Sequence, residues 1–197
     1  IWVTRAGEAP APWDDPAGQP ERLAAMETLF ACTTRATRRF NHAFVVNGGA
    51  SYCVCVPCWP EVDAMERVMS NESLGTHEYP TECGMPPVEF RKLEKLMSRA
   101  IGGREHLYVF LFATDPASQG QGLGGVGMRA ALRVADARGI PTSLETMTDK
   151  NRKIYEHYGF RVVAQIEVPE CADPWYGMIR EPPAEATTVT VNAPLHA

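Results

Sequence analysis

No apolar run in this chain approaches the roughly 20 residues that a membrane-spanning helix needs. Nor does a basic, then apolar, opening mark a secretory leader. Positive charge is scarce: 19 Lys and Arg stand against 24 Asp and Glu, a net charge of −5. That balance argues against nucleic acid or an anionic membrane as the main partner and is compatible with a cationic one. Low-complexity tracts and internal repeats are also missing, and 197 residues with 45% hydrophobic and 22% charged content suit a single domain with a proper core. The chain is therefore expected in the cytoplasm, as a monomer or homodimer. With no sign of secretion, the six cysteines are not expected to form a disulfide framework.

Three of those cysteines, Cys53, Cys55 and Cys58, form C-x-C-x-x-C. A structural zinc would want a fourth ligand and usually a second paired motif. The segment around them reads as a strand, on which Cys53 and Cys55 share one face as small apolar residues. That reading is preferred, and no metal is expected.

The most informative stretch is Asp115-Pro-Ala-Ser-Gln-Gly-Gln-Gly-Leu-Gly-Gly125. An apolar run at 107–113 precedes it and reads as a buried strand. Residues 126–137, rich in Ala, Leu, Met and Arg, follow it and read as a helix. Glycines let the backbone bend through positive φ and approach a ligand closely. The unpaired N–H groups of the first helical turn then point at the ligand, aided by the helix dipole. A phosphate or pyrophosphate is the natural guest.

Two glycine patterns overlap in this loop. Gly120, Gly122 and Gly125 fit G-x-G-x-x-G, and Glu145 falls about where a ribose-binding acid would lie in a dinucleotide fold. A dinucleotide turn should follow its strand at once, whereas residues 115–119 intervene, so this pattern is set aside. The other pattern is Gln119-x-x-Gly122-x-Gly124.

Elsewhere, residues 1–20 carry Pro10, Pro12, Pro16 and Pro20 and read as an extended segment. A helix is expected over 21–39, ending in Arg35, Arg38 and Arg39. A hairpin is expected from strands 43–46 and 51–57 around Asn47-Gly48-Gly49. A short helix over 61–69, a Pro/Gly-rich loop over 70–87 and a helix over 88–101 follow, the last with Phe90, Leu93, Leu96, Met97 and Ile101 inward. Then come strand 107–114, loop 115–121, helix 122–138 capped by Gly139, strand 142–147, helix 150–158, strand 160–168 and strand 174–180. Residues 183–197 read as a tail.

The pattern Gln119-x-x-Gly122-x-Gly124 resembles the Q/R-x-x-G-x-G/A signature of the GNAT acyltransferases. The likeness continues in Asn151-Arg-Lys-Ile-Tyr155-Glu-His157-Tyr-Gly159-Phe160, where Asn, Tyr and a closing Gly-Phe recur at the family's spacing. From Ser143-Leu-Glu145-Thr146 to Val168-Pro-Glu170 and the strand at Trp175, the chain resembles the puromycin N-acetyltransferase-like group of that family. The resemblance is good over about 100–182, loose over about 20–99 and absent in the tail. It implies an α/β fold with a mixed central sheet of six to seven strands flanked by helices. It also implies a splay between the two central strands. One domain over 1–182 is expected, with the family's first strand and helix missing upstream of Ile1.

The resemblance implies an acetyl-CoA-dependent N-acetyltransferase, acting on a primary amine of a small molecule by direct attack in a ternary complex. A peptide amine, a hydroxyl acceptor or a non-catalytic acyl-CoA sensor are the alternatives. Main-chain atoms of Phe112, Ala113 and Thr114 would hold the pantetheine arm. The amides of Gln119, Gly120, Gln121, Gly122, Leu123, Gly124 and Gly125 would hold the pyrophosphate. Tyr155 matches the family's tyrosine, a proton donor to the departing thiolate. Asn151 would cap its helix, contact the pantetheine arm, or both. Glu145 is the candidate base, directly or through water, since burying a carboxylate on a central strand is costly. His157 and His106 are substitutes. Trp59, Trp175 and Tyr176 are candidate walls of the acceptor pocket, with plain core packing as the alternative.

Overall fold

A computed structural model describes residues 42–58, 87–168 and 171–184. The expected helices at 21–39 and 61–69, most of the 70–87 loop, Trp59 and the end of the tail lie outside the described residues. Six strands form one mixed sheet in the order β1-β2-β3-β4-β6-β5. They are β1 Ala43–Val46, β2 Ser51–Cys58, β3 His106–Thr114, β4 Thr142–Thr146, β5 Arg161–Ile166 and β6 Trp175–Arg180. Among the described residues three helices accompany them: α1 Pro87–Ile101, α2 Leu123–Arg138 and α3 Asp149–His157.

Local chemistry accounts for most of these elements. Asn47, Gly48 and Gly49 all take positive φ, and the turn they make pairs Val46 with Ser51 in the β1–β2 hairpin. Helix α2 stops at Gly139, whose left-handed conformation (φ 65°) lets its N–H reach the carbonyls of Ala135 and Asp136. On α1 the apolar stripe runs through Leu93, Met97 and Ile101, all buried. The other end of the molecule is tied by a two-pronged pair, in which Arg180 on β6 donates to both carboxylate oxygens of Asp136 on α2 at 2.6 and 3.0 Å.

The sheet divides the core in two. One cluster, with α2 and α3, holds Cys53, Cys55, Leu107, Val109, Met128, Leu144, Tyr155, Phe160, Tyr176 and Met178. The other, with α1, holds Leu93, Met97, Ile101, Ala164, Trp175 and Ile179. Gly177 faces α1, where a Cβ would collide with the Met97 side chain. This glycine lets the helix lie close on the sheet.

Strand pairing decides what the middle of the sheet can do. Strands β2 and β3 are antiparallel along their whole length, and β4 pairs with β6 from Thr142 to Thr146. Between them, β3 and β4 run parallel yet pair only at Leu107–Thr142 and Tyr108–Ser143. Beyond that fork they separate. Residues 109–114 of β3 and 144–146 of β4 no longer pair with each other, while the Ala113 carbonyl accepts from the Ser51 hydroxyl at 3.0 Å. The splay expected from the resemblance is there.

One irregularity sits beside it. In the β2–β3 register Val54 faces Leu111 and Cys55 faces Val109, which leaves Phe110 opposite no residue. This bulge changes the parity of β3. As a result Val109 and Phe112, three residues apart, both turn toward the α2–α3 cluster.

Candidate active site

The loop from β3 to α2 is organised by its own residues. Asp115 caps a short 3-10 turn over Pro116–Ser118, accepting from the Ala117 N–H at 2.7 Å. The Gln119 side chain turns back and donates to the Thr114 carbonyl at 3.2 Å. Gly120 (φ 79°) and Gly122 (φ 76°) occupy the left-handed region, which only glycine enters at no steric cost. No side chain caps α2, and its first internal bond runs from the Val126 N–H to the Gly122 carbonyl. The N–H groups of residues 120–125 therefore make no hydrogen bond among the described residues.

Space matches those donors. A Cβ on Gly122 would meet nothing within 4 Å, so its positive φ rather than crowding is what calls for glycine there. A Cβ on Gly124 would lie 3.1 Å from the Phe112 ring and 3.3 Å from the Thr114 hydroxyl. Gly124 thus lets the head of α2 press against the end of β3, just where β3 has left β4. Gly125 likewise leaves room for the Tyr158 hydroxyl, which would sit 2.7 Å from an added Cβ. The donor set of consecutive amides at a helix head suits a diphosphate. The side chain of Leu123 is partly buried at the head of the helix.

The two side chains expected to move protons lie on opposite faces of the sheet. Leu144 belongs to the α2–α3 cluster, so alternation along β4 turns Glu145 toward the α1 face. There burial pushes its carboxyl up to about 7, aided by the Glu94 carboxylate of α1 and opposed by a hydrogen bond from the Tyr108 hydroxyl. Cys58 of β2 lies on the same side, and its thiol is driven up to about 12 by burial and by Glu145. Tyr155, projecting from α3, is buried on the other face. Its ring packs 6.4 Å from Phe112 and 5.9 Å from Phe160, the latter edge-on. Its hydroxyl makes no hydrogen bond among the described residues, and burial raises its pKa. The phenol thus stays protonated at neutral pH beside the parted section of β3.

Several sequence readings change here. Asn151 is not the cap of α3: that place belongs to Thr148, whose hydroxyl accepts from the Asn151 N–H at 3.2 Å. Asn151 sits three residues into the helix, partly buried. Trp175 and Tyr176 do not form one wall. As neighbours on β6 they point to opposite faces, each in its own core cluster, so they take the packing alternative. His157 is exposed, and His106 spends its Nδ1 on the Arg104 carbonyl at 3.0 Å. Cys53 and Cys55 lie side by side in the core, sulfurs 3.8 Å apart. Among the described residues no group of three His, Cys, Asp or Glu could hold a metal ion. Tyr108 escaped the sequence reading. The available signal was its two-residue offset from Phe110, opposite in parity to Leu107 and Val109.

Residues 88–160, more than a third of the chain, match the model of the acetyltransferase (GNAT) family. The mixed six-stranded sheet with its three helices, among the described residues, is a GNAT-like α/β fold. Among solved structures, the chain is 26% identical to Ard1 from Thermoplasma volcanium over 39% of its own length, with a TM-score of 0.35. It spans just over half of that protein, 55%. A second similar structure is described as histone acetyltransferase HPA2 and related acetyltransferase from Corynebacterium glutamicum. It is 17% identical and covers 90% of this chain and 82% of its own, at a TM-score of 0.49. A third, mosquito arylalkylamine N-acetyltransferase like 5b, is 18% identical over 67% and 68% of the two chains, at a TM-score of 0.47. The mixed sheet also separates this chain from the dinucleotide-binding folds. Those are built on parallel strands, whereas β3–β4 is the single parallel pair among the described residues. No helix among the described residues is long and apolar enough to cross a membrane.

Proposed function

We propose that the protein is an acetyl-CoA-dependent N-acetyltransferase acting on the primary amine of a small molecule, by direct transfer in a ternary complex. The observation that carries this is the run of unpartnered amides at 120–125, opening beside a gap where β3 and β4 no longer pair with each other. The first feature is a diphosphate cradle. The second offers peptide-like donors and acceptors along the gap, which suits the amide-bearing pantetheine arm. The end of β3 at Phe112, Ala113 and Thr114 would hold that arm, and the amides of Gly120 to Gly125 the diphosphate, since the Gln119 N–H is already bonded to the Pro116 carbonyl at 3.4 Å. Bound there, acetyl-CoA supplies an acyl group activated as a thioester.

The chain's own groups then divide the proton work. Glu145, on the α1 face, accepts the proton that the amine must shed to attack the acyl carbon. A carboxyl at about 7 is half ionised near neutral pH, which suits a general base. Tyr155, on the opposite face, donates its phenolic proton to the sulfur as the carbon–sulfur bond breaks. Placing the two groups on either side of the sheet lets the amine enter from one face and the thiol depart toward the other. Within the family we place the chain with the puromycin N-acetyltransferase-like group, on the segment from Ser143 to Glu170.

The test is thiol release from acetyl-CoA with a panel of primary amines, followed by mass spectrometry for a gain of one acetyl group. Release that depends on both amine and enzyme is expected. Thermal stabilisation by acetyl-CoA with no release by any amine would refute catalysis and leave an acyl-CoA sensor.

A further inference from the structure

We propose that the Thr114 side chain determines specificity at the cofactor site. Its hydroxyl, turned by Ser51, accepts a hydrogen bond from the first donor that the ligand's arm carries beyond the diphosphate. In acetyl-CoA that donor is a hydroxyl, so the inference rests on the acetyl-CoA reading. Thr114 is the last residue of β3 and is half-buried. Its hydroxyl lies where the strand gap meets the head of α2, 3.3 Å from the point that a Cβ on Gly124 would occupy. The main-chain N–H groups beside it, at 120–125, can only donate. They suit the anionic oxygens of a diphosphate and offer nothing to a ligand group that itself donates.

Ser51 decides the polarity of the Thr114 hydroxyl. It is the first residue of β2, faces Thr114 in the register and is fully buried. Cys53, two residues on, belongs to the α2–α3 cluster, so alternation turns Ser51 toward α2 as well. Its oxygen lies 3.0 Å from the Ala113 carbonyl oxygen and 2.9 Å from the Thr114 hydroxyl. A carbonyl only accepts, so the single Ser51 proton goes to Ala113. The Thr114 proton then goes to the Ser51 oxygen, and Thr114 presents lone pairs to the site. Two further bonds hold the frame: the Asp115 N–H donates to the Ala50 carbonyl at 2.8 Å, and the Gln119 side chain to the Thr114 carbonyl at 3.2 Å. A free threonine hydroxyl can swing to donate or to accept. Here it is set as an acceptor beforehand, which lowers the cost of ordering it around a ligand.

The experiment measures the affinity of wild type, T114V, T114S and S51A for acetyl-CoA and for ADP by titration calorimetry. ADP has the diphosphate without the arm. Valine matches threonine in shape, so T114V should fold and keep α2 seated on β3. We expect T114V to bind acetyl-CoA about five- to tenfold more weakly, the effect of losing one neutral hydrogen bond, with ADP within about twofold of wild type. T114S keeps the hydroxyl and should bind acetyl-CoA like wild type. S51A frees the Thr114 proton and should fall between, about threefold weaker for acetyl-CoA. Acetyl-CoA affinity in T114V equal to that of wild type overturns the role of Thr114 and leaves the acetyltransferase reading standing. Equal losses for acetyl-CoA and ADP overturn it too, since Thr114 would then only shape the cradle. An S51A protein that binds as tightly as wild type removes Ser51 as the orienting group. Wild type that binds acetyl-CoA no more tightly than ADP refutes the acetyl-CoA reading itself, and this inference with it.

Discussion

Replacing Glu145 by glutamine removes a charge that the fold holds at a disadvantage, and the consequence reads out in stability before any substrate is known. The carboxyl moves from about 4.5 in the unfolded chain to about 7 in the folded one, chiefly because burial penalises the ion. Between those values the folded state keeps a proton that the unfolded state has released. Wild-type stability therefore falls as pH rises through that window, and is lowest once Glu145 is ionised in both states. At about 1.4 kcal/mol per tenfold change in proton affinity, the shift corresponds to about 3 kcal/mol. Part of the side chain reaches solvent, which makes this an upper figure. Glutamine keeps the volume and can still accept from Tyr108, but it does not titrate. The stability difference, E145Q minus wild type, should then climb by about 2–3 kcal/mol between pH 4.5 and pH 8.5. Urea unfolding followed by circular dichroism, run on both proteins across that range, measures it directly. Other groups titrate alike in the two proteins and cancel, and Cys58, near 12, lies above the window. Parallel stability–pH curves would show that Glu145 is not held as a suppressed carboxylate. The case for a tuned base would go with it.

Tyr155→Phe should lower turnover about 100-fold while acetyl-CoA affinity and stability change little, because the hydroxyl makes no hydrogen bond among the described residues. Single-turnover kinetics beside calorimetric titration separates the two, and an unchanged rate would remove Tyr155 as the acid. Gly124→Val should weaken acetyl-CoA binding by about tenfold or more by pushing the head of α2 off Phe112 and Thr114. Calorimetry checks this, and wild-type affinity would mean that the amides at that turn are not the cradle. Gly177→Ala should cost about 1–3 kcal/mol, since its methyl must displace the Met97 side chain beneath α1. A denaturation midpoint equal to that of wild type would show that α1 does not lie as close on β6 as the structure has it.

What could be read without the structure was whatever short-range rules govern. The strand–loop–helix at 107–138 is one case, because glycine's access to positive φ and the orphaned amides of a helix head depend on a few adjacent residues. The Asn47-Gly48-Gly49 hairpin and the Gly139 cap are others. Positions that sequence could not place depended on partners far along the chain. Capping was one of two roles open to Asn151, but Thr148 takes that place, because the helix begins at Asp149. Two adjacent aromatics, Trp175 and Tyr176, suggested one pocket wall. Only a sheet covered on both sides buries both, back to back.

The placement of the two proposed proton carriers belongs wholly to the second class. Glu145 and Tyr155 are 10 residues apart in sequence, and local alternation gives each a direction without saying what lies there. Which face α1 covers, where β3 stops pairing with β4, and how the bulge at Phe110 turns Phe112 under the gap all follow from strand contacts across tens of residues. Composition and motif gave the expectation that a phosphate-bearing ligand meets the head of α2. The tertiary fold decided that a tyrosine would stand at the fork beside the carboxylate, because only strand pairing brings residue 108 next to residue 145.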